Sequence, residues 1–216
     1  METAPVLGFA DGGSLQATAN HPALELLNTV AWRLDRDRTV DRIGEASELV
    51  RWAAFVGILD PGQREGFTAE AHQDRAGARE VVRRCRDLRD ALYAVVQPLA
   101  TDGRSDPAPR AHLVARLLRD LGHSEIVTVM PLRWDSRPRG LRDLPEALGI
   151  HAWDLLAHED PTRLRQCRDD ACGWLFLDRS RNGSRRWCSS ADCGNRSRAR
   201  RHRSRTSATT APRTPS

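Results

Sequence analysis

Two short stretches of this sequence share one pattern, Cys167-Arg-Asp-Asp-Ala-Cys172 and Cys188-Ser-Ser-Ala-Asp-Cys193, and they decide the fold of its C-terminal part. In each stretch four residues separate the two cysteines, so both thiolates of one turn can reach the same tetrahedral ion. A segment of fifteen residues joins the two pairs. The spacing predicts that all four cysteines bind one structural zinc ion.

Other uses of these four cysteines remain open at the level of sequence. Two disulfide bonds would use the same residues, but residues 1–13 lack the basic and apolar regions of a signal peptide, so an oxidising compartment is not expected. A thioredoxin-like redox pair needs a C-x-x-C spacing, which is absent. An iron–sulfur cluster is a minor alternative. The fifth cysteine, Cys85, lies in an apolar helical seam and is interpreted as a packed core thiol.

A run of arginines follows Cys193 directly. Residues 196–205 contain six arginines and no acidic residue, a composition that favours a polyanionic partner. Arginine can bond both phosphate oxygens and base edges, and Asn195 can either contact a base or cap the start of a helix. The predicted nucleic-acid contacts are Arg185, Arg186, Asn195, Arg196, Arg198, Arg200, Arg201 and Arg203. A solvated basic tail without a partner is the alternative.

Charge is divided unevenly along the chain. All 34 basic residues are arginines; 14 of them lie between residue 163 and the end, together with 4 acidic residues. Residues 1–162 carry the other 20 arginines and 25 acidic residues. A mildly acidic body thus precedes a basic module, which is the asymmetry expected when only one end touches nucleic acid.

Apolar residues recur at steps of three and four along residues 20–160, which is typical of amphipathic helices. The pattern predicts helices within residues 20–34, 43–59, 81–99, 113–121 and 144–156. Pro98 is expected to kink or end the third of them. A β-branched run at residues 126–129 predicts a short strand instead. We therefore expect a mostly α N-terminal domain with a short β element, able to fold alone, behind a flexible lead-in over residues 1–19.

The cysteine module, defined as residues 163–205, has the pattern of a small β-hairpin followed by a helix. The apolar run at residues 174–177 is expected to be the return strand, and Cys167 to Cys172 the turn that grips the metal. A helix is expected to begin near Gly194. A unit of this size does not fold without its ion, so zinc should supply much of its stability. Residues 206–216 are expected to be a disordered tail.

These motifs together resemble one known family. Cys167-x4-Cys172 followed by Trp174-Leu-Phe-Leu-Asp, and then Arg185-Arg-Trp-Cys188-x4-Cys193-Gly-Asn-Arg196, resembles the CGNR zinc finger, including its naming tetrapeptide. In that family the finger commonly lies at the C-terminus behind a helical domain called ABATE, described as a stress-induced transcription regulator. Residues 22–30, which end in Leu-Leu-Asn-Thr-Val, are similar to the opening helix of that domain. The resemblance implies zinc binding, DNA binding and transcriptional regulation.

The sequence thus predicts a zinc-dependent DNA-binding transcription regulator in the cytoplasm, associated with the nucleoid. Further hypotheses are a small-molecule effector bound by the N-terminal domain and a homodimer. RNA binding through the basic helix, or a zinc-stabilised module that binds an acidic protein, are the alternatives. An enzyme is not expected, because a four-cysteine zinc has no open coordination position and the N-terminal half shows no catalytic constellation. No apolar run has the length of a membrane span, so no membrane partner is expected.

Overall fold

The structure is a computed structural model that describes residues 6–9 and 13–209, with side chains up to residue 204. Most of the described chain is helical. The α-helices are α1 (Pro22–Leu27), α2 (Ala46–Phe55), α3 (Gln63–Gln73), α4 (Arg75–Thr101), α5 (Pro107–Gly122), α6 (Leu144–His158) and α7 (Asn195–Thr209). The predicted fold class is confirmed: a helical N-terminal region with short strands precedes a hairpin and a helix that carry the four cysteines.

Every described strand belongs to a two-stranded antiparallel sheet. The pairs are β1 (Val6–Gly8) with β2 (Ser14–Gln16), β3 (Val30–Ala31) with β4 (Val40–Asp41), β5 (Ile126–Val129) with β6 (Leu132–Trp134), and β7 (Leu164–Gln166) with β8 (Leu175–Leu177). The predicted hairpin of the cysteine module corresponds to β7 and β8, in which Arg165 lies opposite Phe176. The sequence predicted one strand near residue 126, and the structure forms the hairpin β5–β6 there.

The long helix α4 lies at the centre of the fold and packs against α1, α2, α3, α5, α6 and β7. Its seam includes Cys85, Leu88 and Leu92, all without exposed surface. Burial raises the pKa of Cys85 to about 12, so this thiol behaves as the predicted core residue. Pro98 is predicted to kink or end this helix. The prediction that it ends the helix is wrong, because α4 continues to Thr101. Only three residues follow Pro98 in the helix, so the proline disturbs little beyond its own turn.

Helix α1 is shorter than its apolar spacing predicts. It ends at Leu27, and residues 30 and 31 form β3. The buried Asn28 caps this end, and its side chain donates to the carbonyl of Leu175 and accepts from the Leu175 N–H, each at 2.9 Å. The Asn28 amide thus pairs with the backbone of Leu175 as a neighbouring strand would, and the helix ends there. The spacing of apolar residues does not reveal this long-range contact.

The N-terminal segment also departs from the expected flexible lead-in. Where the structure describes it, β1 and β2 pair, and Leu15 is fully buried in the main core. The guanidinium of Arg42 donates to the Ser14 carbonyl at 2.7 Å, which fixes the second strand. Residues 1–5 and 10–12 lie outside the described residues, as do residues 210–216 of the expected tail; α7 runs on to Thr209.

The cysteine module shares one core with the helices, and the independent folding of residues 20–160 stays a prediction. Leu175, Phe176 and Leu177 are buried together with residues of α1 and α4. The indole of Trp174 donates to the Val30 carbonyl at 2.9 Å, and the backbone N–H of Arg33 donates to the Cys172 carbonyl at 3.1 Å. A hairpin of two three-residue strands cannot enclose its own apolar side chains, so it buries them against the helical part.

Candidate metal centre and nucleic-acid interface

The four predicted ligands meet in one buried cluster. The Sγ atoms of Cys167, Cys172, Cys188 and Cys193 all lie within 4.8 Å of one another. The Sγ atoms of Cys172 and Cys188 are 3.7 Å apart, and those of Cys188 and Cys193 are 3.4 Å apart. Tetrahedral zinc with its usual bond lengths to sulfur separates thiolates by about 3.8 Å, whereas a disulfide holds them at about 2 Å. The four cysteines are positioned to coordinate one zinc ion, and no disulfide joins them.

The crowding of the thiols explains why this cluster suits a cation. Hydrogen bonds from Cys172, Cys188 and Cys193 lower the pKa of Cys167, whereas contact with Cys167 and its neighbours raises the pKa of Cys188. Contact with Cys167 likewise raises the pKa of Cys172. One ionised cysteine is stabilised by hydrogen bonds from the remaining thiols. Ionising a second cysteine is unfavourable, because two negative charges would then lie close together. A dication removes that penalty, because all four ligands can then ionise.

A buried carboxylate shapes the first cysteine turn. Asp169 has no exposed surface, and its side chain accepts from the Ala171 N–H at 3.2 Å while its backbone carbonyl accepts from the Cys172 N–H at 2.9 Å. The same carboxylate forms ion pairs with Arg196 at 3.1 Å and Arg200 at 3.3 Å. Asp169 therefore ties the first metal turn to helix α7.

Arg196 contacts the cluster itself. Its guanidinium donates to the Sγ of Cys193 at 2.7 Å, and it lies over the ring of Trp32 at 4.5 Å. Burial lowers the pKa of Arg196, but the Cys193 sulfur and Asp169 outweigh burial and leave it raised. Trp32 has a positive φ of 54°, rare for a bulky residue, and Arg38 covers its ring at 3.6 Å. Two arginines thus hold a strained residue of the helical part beside the metal cluster.

Arg185 is half-buried and is bonded to the fold, while its predicted contact with a nucleic acid stays a prediction. Its guanidinium donates to the carbonyls of Thr18 at 2.8 Å, Cys188 at 2.5 Å and Trp187 at 3.0 Å. It also lies over the ring of Phe176 at 4.2 Å. Burial lowers the pKa of this group. Through the bonds from its Nε and Nη2 to backbone carbonyls, Arg185 fixes the second cysteine turn against the N-terminal segment.

Asn195 and Arg198 stabilise the start of α7. The side-chain amide of Asn195 donates to the Ala191 carbonyl at 2.5 Å, and its oxygen accepts from Arg198. Arg198 also donates to the Ser190 carbonyl at 3.2 Å. Asn195 thus closes the turn before the helix, which is one of the two roles predicted for it, and contact with a base stays a prediction.

The remaining predicted arginines lie on the surface. The side chains of Arg186 and Arg201 are exposed and have no hydrogen bond or ion pair to other described residues. Arg203 is exposed too. Arg200 points toward the first cysteine turn, 3.3 Å from Asp169 and 3.9 Å from Asp170. The structure thus separates the predicted set into residues that hold the module together and residues that face solvent.

Sequence reasoning missed Arg168, which is exposed and belongs to the same surface. Its backbone N–H donates to the Arg186 carbonyl at 3.1 Å, so the two residues are neighbours. With Asp170, Ser197, Arg200 and Arg201, it lines an open groove between the first cysteine turn and α7. The signal that could have identified Arg168 from the sequence is its position directly after the first metal ligand, Cys167. We call Arg168, Arg186, Arg200 and Arg201 the basic surface.

Comparison with known proteins places this architecture in a family. A family model described as "Putative stress-induced transcription regulator", ABATE, matches residues 20–159, which is more than half of the chain. This chain belongs to the ABATE family. A second model, the CGNR zinc finger, matches residues 163–206 of this ABATE protein. A comparison with curated proteins found no match. The matched families are regulator and zinc-finger families, and they identify the ABATE protein as a zinc-binding member of a regulator family.

The finger is named after the tetrapeptide Cys193-Gly-Asn-Arg196, and each of these four residues has a structural role in this ABATE protein. Cys193 is a metal ligand, and Arg196 donates to its sulfur. A side-chain carbon at Gly194 would lie 3.3 Å from the ring of Trp187, closer than most such contacts, so glycine keeps the ring in place. Asn195 closes the turn. None of the helices in the described residues has the length and apolar content of a membrane span.

Proposed function

We propose that this ABATE protein is a cytoplasmic, nucleoid-associated transcription regulator that binds double-stranded DNA through the basic surface. The zinc cluster is the element that sets the position of α7. Arg196 joins the helix to a metal ligand, and Asp169 joins it to the first cysteine turn. An arginine-rich helix with almost no apolar face cannot be ordered by burial, so its order must come from these contacts.

The basic surface is the single observation that carries the proposal. Arg168, Arg186 and Arg201 present exposed guanidinium groups without partners among the described residues, and Arg168 and Arg201 line an open groove that also contains Asp170. The groove also contains the hydroxyls of Ser197 and Ser204, which suit phosphate oxygens. Arg200 lies in the same groove, where Asp169 and Asp170 hold its side chain in place and partly offset its charge. This combination favours contact with a sugar–phosphate backbone.

The proposal is tested by the salt dependence of DNA binding. Each phosphate contact contributes roughly 0.9 to the slope of log affinity against log salt. We expect Arg201→Ala and Arg186→Ala each to lower that slope by about one unit on a random duplex. Arg64→Ala is the matched control, because Arg64 is exposed on α3 and its side chain has no partner among the described residues. Equal slopes for all three variants would contradict the proposed surface.

Two alternatives give different results in the same assay. An RNA-binding protein would prefer an RNA duplex or single strand over DNA at every salt concentration. A module that binds an acidic protein would show weak affinity for both polymers and a shallow salt slope. An arginine that contacts a base edge would be distinguished by relaxed preference at one position of a preferred site, at a cost of roughly 1 to 3 kcal/mol.

The small-molecule effector stays a prediction, and one cavity supports it. A space of about 230 Å³ lies between the N-terminal strands and the cysteine module. Its lining includes the indoles of Trp32 and Trp174 together with Cys172 and Arg196. A molecule bound there would touch both the helical part and the residue that holds α7. Quenching or enhancement of tryptophan fluorescence on ligand addition, lost in Trp32→Ala, would support this location.

A further inference from the structure

A wide groove in the helical part is distinct from both sites described above. Residues of α2, α3 and α4 border it, and its volume of about 700 Å³ is in the range of small-molecule sites. Its lining shares no residue with the basic surface or with the cavity beside Trp32. The buried residues Ala71, Ala78 and Val82 give it apolar surface, and charged residues of α4 line it as well.

The charges of this groove are not balanced. Ion pairs in and beside the groove join Arg83 to Asp87, Arg86 to Asp41 and Arg89 to Asp90. Arg75 and Arg79 line the same groove, are exposed, and have no hydrogen bond or ion pair to other described residues. The one acidic lining residue without an arginine partner in the described part of the chain is Glu45. The groove therefore keeps an excess of positive charge.

Arg75 and Arg79 occupy positions where a positive charge is unfavourable. They lie one turn apart on the same face of α4, and like charges at this spacing repel each other. Arg75 is also the first residue of the helix, whose start favours negative charge, and the first turn contains no acidic residue. The N-cap Asp74 is already paired with Arg142. A bound anion would relieve the repulsion between the two arginines.

We propose that this groove binds a small molecule that carries two or more linked phosphate groups and an organic part, such as a nucleoside di- or triphosphate. Guanidinium groups bind phosphate oxygens in pairs of parallel hydrogen bonds, so neighbouring arginines on one helix face can bind adjacent phosphates. A monocarboxylate would neutralise only one of the two arginines. The hydroxyls of Ser47 and Thr68 and the exposed imidazole of His72 add polar groups to the lining.

The size and apolar surface of the groove favour an organic phosphate over inorganic phosphate. A phosphate chain alone would use only the part of the groove beside Arg75 and Arg79. The apolar surface of Ala71, Ala78 and Val82 has no use in binding an inorganic ion, and it suits the base or sugar of a nucleotide.

The test is isothermal titration calorimetry of the zinc-loaded full chain with ATP, and adenosine is the phosphate-free control. Arg186→Ala and Arg201→Ala are present in every protein, so that the basic surface contributes little to phosphate binding. We expect ATP to bind and adenosine not to bind. Arg75→Ala and Arg79→Ala should each weaken ATP binding by about tenfold, since each removes a charged hydrogen-bonding group. Arg110→Ala is the matched control, because Arg110 is exposed on α5 outside the groove.

Circular dichroism and zinc content should be unchanged in all variants, because the altered side chains are exposed. Equal ATP affinities in the Arg79→Ala and Arg110→Ala proteins would overturn the proposal, as would adenosine that binds as tightly as ATP. A groove that binds no ATP, combined with a lower salt slope of DNA binding in Arg75→Ala, would assign these arginines to DNA instead. The DNA proposal is tested by Arg186 and Arg201, so the two proposals fail separately.

Discussion

The guanidinium of Arg196 lies 2.7 Å from the Sγ of Cys193, so the first charged residue of α7 contacts a ligand of the metal site. Residues that hydrogen-bond to metal ligands orient them, and their loss typically costs 10- to 100-fold in metal affinity. We expect Arg196→Ala to weaken zinc retention by about that factor. Competition with a chromogenic chelator measures it, and Arg201→Ala is the control because Arg201 makes no contact with the cluster.

The shared core predicts that zinc loss destabilises more than the cysteine module. In the Cys193→Ser variant, the strands β7 and β8 lose their anchor, and α1 loses the Leu175 partner of Asn28. We expect thermal unfolding at a lower temperature for the whole chain, and faster hydrogen exchange at residues 28–34. Unchanged exchange in that segment would show that the helical part folds independently after all.

Asn28→Ala tests the same link without touching the metal. The substitution leaves the N–H and carbonyl of buried Leu175 without partners, at a cost of about 1 to 3 kcal/mol for each group. We expect the free energy of unfolding to fall by several kcal/mol at full zinc occupancy. Denaturant titration measures this change, and a loss below about 0.5 kcal/mol, the range of a neutral surface change, would contradict the structural role.

How much of this architecture the sequence reveals depends on the range of the contacts. The ligand set and the start of α7 follow from local spacing, and both were predicted. The role of Arg185 could not be predicted, because its partners include the Thr18 carbonyl, 167 residues away along the chain. The end of α1 depends on Leu175 for the same reason. The helix α3 was missed because its apolar stripe is thin, with only Phe67 and Ala71 buried.

Glu25 predicts an unusual dependence of stability on pH. Burial raises its pKa to about 7 from 4.5, although the Ala19 N–H donates to the carboxylate. The folded state therefore binds more protons than the unfolded state between these values, so this group stabilises the fold at low pH and that stabilisation is lost as the pH rises through 7. We expect Glu25→Gln to be more stable than the unaltered chain at pH 8, by on the order of 3 kcal/mol.

The free energy of unfolding of the unaltered chain and of Glu25→Gln is compared by denaturant titration from pH 5 to pH 8. The difference between them should shrink toward low pH, since Glu25 is neutral there in the folded chain. His21 and His151 titrate in both proteins, and their contributions cancel in the difference. A constant difference across this range would contradict the assignment to Glu25.

The buried thiol of Cys85 should differ in reactivity from the four metal ligands. Its pKa of about 12 leaves almost no thiolate at neutral pH, and its side chain has no exposed surface. Alkylation of the native zinc-loaded chain should leave Cys85 unmodified, and mild chelation should expose only the four ligands to the reagent. Mass spectrometry of the digested protein identifies the modified positions, and early labelling of Cys85 would contradict its place in the core.

If zinc positions α7 for DNA, DNA affinity must depend on an intact zinc site, and this dependence is measured in full-length protein with and without that site. Intact protein and the Cys193→Ser variant are titrated with one duplex across a salt series, with every arginine of the basic surface present in both. We expect the variant to bind more weakly at each salt concentration and to lose its sequence preference. Equal affinity and equal preference in the two proteins would contradict it, because the arginine run would then act as a basic tail that needs no metal.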